Sequence, residues 1–81
     1  MQGYRAEFMI EPFVEGSLGP PVLAAIKAVV NRGFEPSIGA FGTTIEGNSG
    51  PIVAALADML DAAMSAGATR VTVQVESREA S

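Results

Sequence analysis

The sequence predicts an α+β sandwich in which four antiparallel strands form one sheet and two helices cover one of its faces. Three observations carry this. Strand-forming runs with alternating character stand near both ends of the chain, "AEFMIEPFV" (Ala6 to Val14) and "ATRVTVQVES" (Ala68 to Ser77). Two stretches of helical spacing, "PPVLAAIKAVVNRG" and "NSGPIVAALADMLDAAMSAG", have proline in their first turns and end at glycine. Between the helices, "FEPSIGAFGTTIEG" reads as two short strands around a turn at Gly39–Gly42.

In the first strand, Phe8 and Ile10 share one face and Glu7, Met9 and Glu11 the other. Pro12 cannot donate to a central ladder, so the strand should end there. "EGSLG" follows as a loop. In the first helix, Pro20 and Pro21 suit positions where no N–H is needed, Val22, Ile26, Val29 and Val30 form an apolar stripe, and Gly33 stops the helix. Pro36 marks the second strand as an edge strand, with Ile38 on its face. On the third strand Ile45 points one way and Thr44 and Glu46 the other. The second helix is capped among Asn48, Ser49 and Gly50, buries Ile52, Leu56, Met59, Leu60 and Ala63, and closes at Gly67. The last strand sets Val71, Val73 and Val75 against Arg70, Thr72, Gln74 and Glu76. The polar tail "REAS" is expected to fray.

The element order is β-α-β-β-α-β. Its natural solution is the split βαβ, or ferredoxin-like, sandwich with spatial strand order 4-1-3-2 and both helices on one face. One domain over residues 1–81 is expected. A chain this short buries only about 60% of the surface its unfolded form exposes. With 48% hydrophobic residues, it is expected to gain surface burial as a homo-oligomer, a dimer or tetramer.

Composition excludes several chemistries. The chain has no cysteine and no histidine, so thiolate and imidazole metal sites, a Ser-His-Asp triad and a Cys-His pair are all ruled out. Only five Lys and Arg are present, scattered, against a formal net charge of −4, which argues against nucleic acid. No apolar run approaches the ~18 residues needed to cross a bilayer. "MQGYRAEF" has no apolar signal core, so a cytoplasmic location is expected.

The uncovered sheet face should hold Glu7, Met9, Glu11, Ser37, Thr44, Glu46, Thr72, Gln74 and Glu76, a polar and acidic set. It can be a solvated outer face, a subunit interface or a ligand site. Pairing of the first and third strands brings Glu11, Pro12 and Phe13 toward Phe41, Gly42, Thr43 and Thr44, with Ser37 and Arg70 at the same end. Carboxylate and hydroxyl oxygens there accept hydrogen bonds from an amine, Gly42 lets backbone approach, and Phe13 or Phe41 can stack on a ring or lie over a cation. Glu11, Phe13, Ser37, Phe41, Gly42, Thr43, Thr44 and Glu46 are therefore the candidate ligand contacts.

The segments "FMIEPFVEG", "GFEPSIGAFGTTIEG" and "AGATRVTVQVE" resemble the small thiamine-binding, YkoF-like domains. The most specific piece is "GTTIEG", a Gly-Thr with Glu three residues after the Thr. The resemblance spans about residues 6 to 76. It implies a ferredoxin-like fold and a homo-oligomer, often a tetramer built from sheet-to-sheet dimers. It also implies binding of thiamine or its hydroxymethylpyrimidine half without covalent reaction, with Gly42, Thr43 and Glu46 matching the hairpin pattern and Ile10, Glu11 and Pro12 the end of the first strand. Ala40 stands where many members have proline. A carrier, sensor or salvage accessory is the implied role, with no cofactor beyond thiamine as possible ligand.

Two other classes stay open. Acylphosphatases share the topology but use Arg and Asn on a phosphate-cradling loop, whereas "VEGSLGP" has a glutamate and no arginine, so catalysis is not expected. The alternative function is an oligomeric regulatory or scaffold domain that assembles through its sheet, with another small ligand or none.

Overall fold

The computed structural model describes residues 3–12, 18–40 and 42–78. Its elements are β1 (Gly3–Glu11), α1 (Pro20–Asn31), β2 (Ser37–Ile38), β3 (Thr43–Asn48), α2 (Ser49–Ser65) and β4 (Arg70–Arg78). The sheet is antiparallel with spatial order β2-β3-β1-β4, the predicted order read from the other edge. This is the ferredoxin-like sandwich.

β1 is the central strand. It pairs with β3 from Gly3↔Asn48 to Phe8↔Thr43 and with β4 from Gly3↔Arg78 to Glu11↔Arg70. It starts three residues before the predicted Ala6, because Gly3, Tyr4 and Arg5 are paired on both sides. Gly3 fits closely there: a Cβ would lie 3.0 Å from the Arg78 Nη2 and 3.1 Å from the Gly47 carbonyl oxygen. The strand ends before Pro12, as the missing donor requires.

The alternation along β1 sends Ala6, Phe8 and Ile10 into the core, where they meet Ile45 of β3 and Ile52, Ala55 and Met59 of α2. Val71 and Val73 of β4 pack on the margin of this cluster, while Val75 is 48% exposed. The buried line of α1 is not the predicted Val22, Ile26, Val29, Val30 stripe. It is the i, i+4, i+8 row Pro21, Ala25, Val29; Val22 and Ile26 are half-buried and Val30 is exposed. The reason is that α1 lies chiefly against α2 rather than on the sheet, and Ala25 lets the two helices close together. On α2, Ile52, Leu56, Met59 and Ala63 are buried as predicted, but Leu60 is exposed.

Both helices end at glycines with left-handed backbone, Gly33 (φ 89°) and Gly67 (φ 108°). Asn48 occupies the N-cap of α2 without a side-chain capping bond. A hydrogen bond of 2.7 Å from Arg32 Nε to Asp58 Oδ2 ties the end of α1 to α2; this bond and then the carboxylate charge raise the guanidinium pKa above its ordinary value. Phe34, just beyond α1, packs over Gly47, where a Cβ would come within 2.8 Å of the ring.

The fully buried Met59 lies between helix and sheet, so Met59→Ala should cost about 2–5 kcal/mol through lost burial and a residual cavity. The exposed Val53→Ala should stay within about 0.5 kcal/mol. Urea midpoints at unchanged m-value will separate the two.

Candidate functional site

The face of the sheet away from the helices is laid out by the registers. Across the strands its rows are Arg70–Glu11, then Thr72–Met9, then Gln74–Glu7–Thr44–Ser37, then Glu76–Arg5–Glu46. Three arginines occupy this face as well as the acidic residues. Arg5 contacts Glu76 at 3.4 Å and Glu46 at 3.8 Å, Arg78 contacts Glu46 at 3.6 Å, and Arg70 contacts Glu11 at 3.6 Å. The face is therefore largely self-neutralised rather than acidic. Arg5 and Arg78 lie beyond the predicted strand ends, and Arg70, on the same side of its strand as Thr72, was not counted with the face, so the acidic set appeared uncompensated in the sequence.

Glu7 differs from the other three glutamates of the face. Among the described residues it has no cationic partner. It stands in the central row between Gln74 and Thr44 and is exposed to solvent. With Met9, Thr72 and Gln74 it lines a shallow depression of about 140 Å³.

A second cavity opens at the end of the β1–β3 ladder. Pairing stops at Phe8↔Thr43, while β1 runs on to Glu11. The turn between β2 and β3 closes over this step, held by a 2.8 Å bond from the Gly39 N–H to the Gly42 carbonyl. The cleft is lined by Phe8, Met9, Ile10, Leu18, Val22, Ile38, Gly39, Ala40, Gly42 and Thr43 and encloses about 40 Å³. That is room for a few waters or the edge of a ring. Its walls are apolar apart from backbone and the Thr43 side chain. At Gly42 a Cβ would lie 3.2 Å from the Phe8 carbonyl oxygen and 3.6 Å from Glu7 Oε2, so glycine keeps the rim open and brings Glu7 to it.

The candidate residues divide by face. Thr43 is buried opposite Phe8 and belongs to the apolar cleft; Thr44 points the other way, between Glu7 and Ser37. Glu46 is a diagonal neighbour of Glu7, about 7–8 Å away, so one small molecule can touch both. Glu11 is four residues further along β1 than Glu7, roughly 13 Å, and is engaged with Arg70. Glu11 and Glu46 are thus at opposite ends of the face. Phe13 and Phe41 lie outside the described residues. Sequence reasoning placed Glu7, Met9 and Gln74 on the open face but did not select them. Their prominence comes from register, which sets Glu7 between two neutral polar residues instead of opposite an arginine. Among the described residues no group of three or more acidic residues could hold a metal ion.

The chain matches the family model described as thiamine-binding protein over residues 6–79. It belongs to that family. The matched span takes in β1 from Ala6 onward, the other three strands and both helices, including both cavity walls. Among solved structures, a hypothetical protein of Methanocaldococcus jannascii is 22% identical, with 100% of this chain and 84% of that one covered, at a TM-score of 0.71. A domain of unknown function from Bacillus cereus is 24% identical over 98% of this chain and 77% of its own, at 0.70. A candidate thiamine biosynthesis/salvage protein from Thermotoga maritima is 22% identical over 96% of this chain and 84% of its own, at 0.68. At these identities the likeness shows the common fold. No curated protein matches the chain. No helix among the described residues is long and apolar enough to cross a membrane.

The ion pairs of the face are all partly exposed, and such pairs contribute about 0–1 kcal/mol each. Glu46→Gln, which touches two arginines, should therefore shift folding stability by no more than about 2 kcal/mol. Urea denaturation will check this.

Proposed function

We propose that the protein binds thiamine or its hydroxymethylpyrimidine moiety without turning it over, in the cytoplasm, as a carrier, sensor or salvage accessory. The family match over residues 6–79 carries this reading. The Gly42, Thr43 and Glu46 pattern lies inside the match; Gly42 and Thr43 line the cleft, and Glu46 stands diagonal to Glu7 on the open face.

The chemistry of the two cavities supports it. An aromatic ring gains from the apolar walls of Ile10, Leu18, Val22 and Ile38, and its edge polar atoms find the Thr43 hydroxyl and the backbone at Gly39–Gly42. The other half of thiamine carries a fixed positive charge. The Glu7 carboxylate at the cleft rim suits it, with Thr44, Gln74 and Glu46 as neighbours. A carboxylate ~5 Å from a fixed cation contributes on the order of 3 kcal/mol at an effective dielectric near 20, before desolvation. These groups bind and orient; none of them is paired as an acid and a base, which supports a binding role.

A second reading rests on the self-neutralisation of the face. A sheet whose charges are already matched can pack on another surface, as an assembly or regulatory domain does, with a different ligand or none.

Calorimetric titration with thiamine, hydroxymethylpyrimidine and thiamine phosphate tests the proposal. Saturable binding of thiamine is expected, and Thr43→Val, Glu7→Gln and Glu46→Gln should each weaken it by about tenfold, the loss of one buried or charge-assisted hydrogen bond. Hydroxymethylpyrimidine should be insensitive to Glu7→Gln if that carboxylate serves the cation. Absence of heat with all three ligands at two temperatures would leave the assembly reading in its place.

A further inference from the structure

The first turn of α1 forms one wall of the apolar cleft, since Leu18 and Val22 both line it. A helix start facing a cavity is ordinarily a place for anions. The first four N–H groups have no partner within the helix, and the dipole there favours negative charge. Here that capacity is cut back. The first intrahelical bond runs from the Leu23 N–H to the Gly19 carbonyl at 3.1 Å, so the four positions are Gly19, Pro20, Pro21 and Val22. Two of them are proline and have no N–H. The side chains of residues 18–23, Leu-Gly-Pro-Pro-Val-Leu, add no hydroxyl, amide or cation.

The open face turns anions away by a different device. The chain has five lysines and arginines. Arg5, Arg70 and Arg78 each contact a glutamate on that face, and Arg32 contacts Asp58 on the helix side. The fifth, Lys27, lies more than one turn beyond Val22 along α1. Glu7, the carboxylate at the cleft rim, has no cationic partner among the described residues. The rim therefore presents uncompensated negative charge.

We propose that the site takes its ligand in unphosphorylated form and excludes the phosphate esters. This rests on the reading that the protein binds thiamine or its pyrimidine half. An ester has two ways to lie across the cleft and the Glu7 row. With its ring in the cleft, its phosphate reaches the open face and meets the Glu7 carboxylate. Turned round, its phosphate reaches the first turn of α1, where two of the four donors are missing. Neither pose offers the clustered N–H groups or unengaged guanidinium that a phosphate needs when it leaves water. The parent molecule meets no such obstacle, because its charge is positive and its hydroxyl is neutral. Free and phosphorylated pools of the ligand are then kept apart, with the protein holding only the free one.

Calorimetric titration with thiamine, its monophosphate and its acetyl ester tests the exclusion, the acetyl ester being a neutral group on the same hydroxyl. Thiamine and the acetyl ester should bind within about threefold of each other, and the monophosphate at least about tenfold more weakly. The gap should narrow as ionic strength rises from about 0.05 to about 0.5 M, because exposed charges are screened. Glu7→Gln should also narrow it, by weakening thiamine and not the monophosphate. Pro20 is exposed, and Pro20→Ala returns one N–H to the helix start. That variant should strengthen monophosphate binding by about threefold and leave thiamine unchanged. Equal binding of thiamine and its monophosphate would overturn the exclusion and leave the binding proposal standing. So would rejection of the acetyl ester as strong as that of the phosphate, or a gap unmoved by salt and by both variants. No binding of either thiamine or hydroxymethylpyrimidine would remove the binding proposal, and this inference with it.

Discussion

The structure depends on the position of β1. Among the described residues it is the only strand with long ladders on both sides, and its side-chain alternation is fixed by those ladders. A one-residue slip would send Glu7 and Met9 under the helices and expose Phe8. Because Phe8 is 1% exposed and lies in the centre of the core, that slip is prohibitively costly, and the register is secured. The same constraint sets the open face that carries the candidate site. Arg5, Glu7, Met9 and Glu11 are presented in a fixed line, and each receives its neighbours from β3 and β4 by pairing alone.

That line is electrostatically graded. Arg5 is matched on both sides and Glu11 on one, while Glu7 keeps neutral neighbours. Exposed ion pairs of this type contribute little to folding. Their effect is to confine uncompensated negative charge on the face to its middle, beside the cleft where β1 outruns β3. The candidate site thus has two unlike halves, an apolar step at the ladder's end and a carboxylate on the adjacent row, with glycine at position 42 joining them.

Most of the fold was legible in the sequence because period and punctuation agree. Alternation in β1 and β4, prolines at the helix starts and the glycines at 33 and 67 each reflect a local backbone requirement. What local pattern misses is the neighbour. The buried row of α1 shifted from Val22 and Val30 to Pro21, Ala25 and Val29 because α1 rests on another helix, and no single-segment pattern contains that information. Likewise, the separation of Thr43 from Thr44 was readable from alternation. The importance of Glu7 was not, since it depends on which residues from two other strands stand beside it. The strand ends at Gly3 and Arg78 escaped for a similar reason: both lie in polar sequence and are held by pairing rather than by apolar character.

Met9 borders both cavities, the apolar cleft and the depression beside Glu7. An unbranched thioether turns about several single bonds at little cost and accommodates contacts of many shapes. The partition between the two spaces is therefore a movable side chain, while the backbone around it is pinned on both sides by the sheet. Volume can pass from one compartment to the other by a change of rotamer, leaving the registers untouched. For the proposed ligand, outline would then be read by one adjustable wall, and charge by a carboxylate whose strand position is set by pairing.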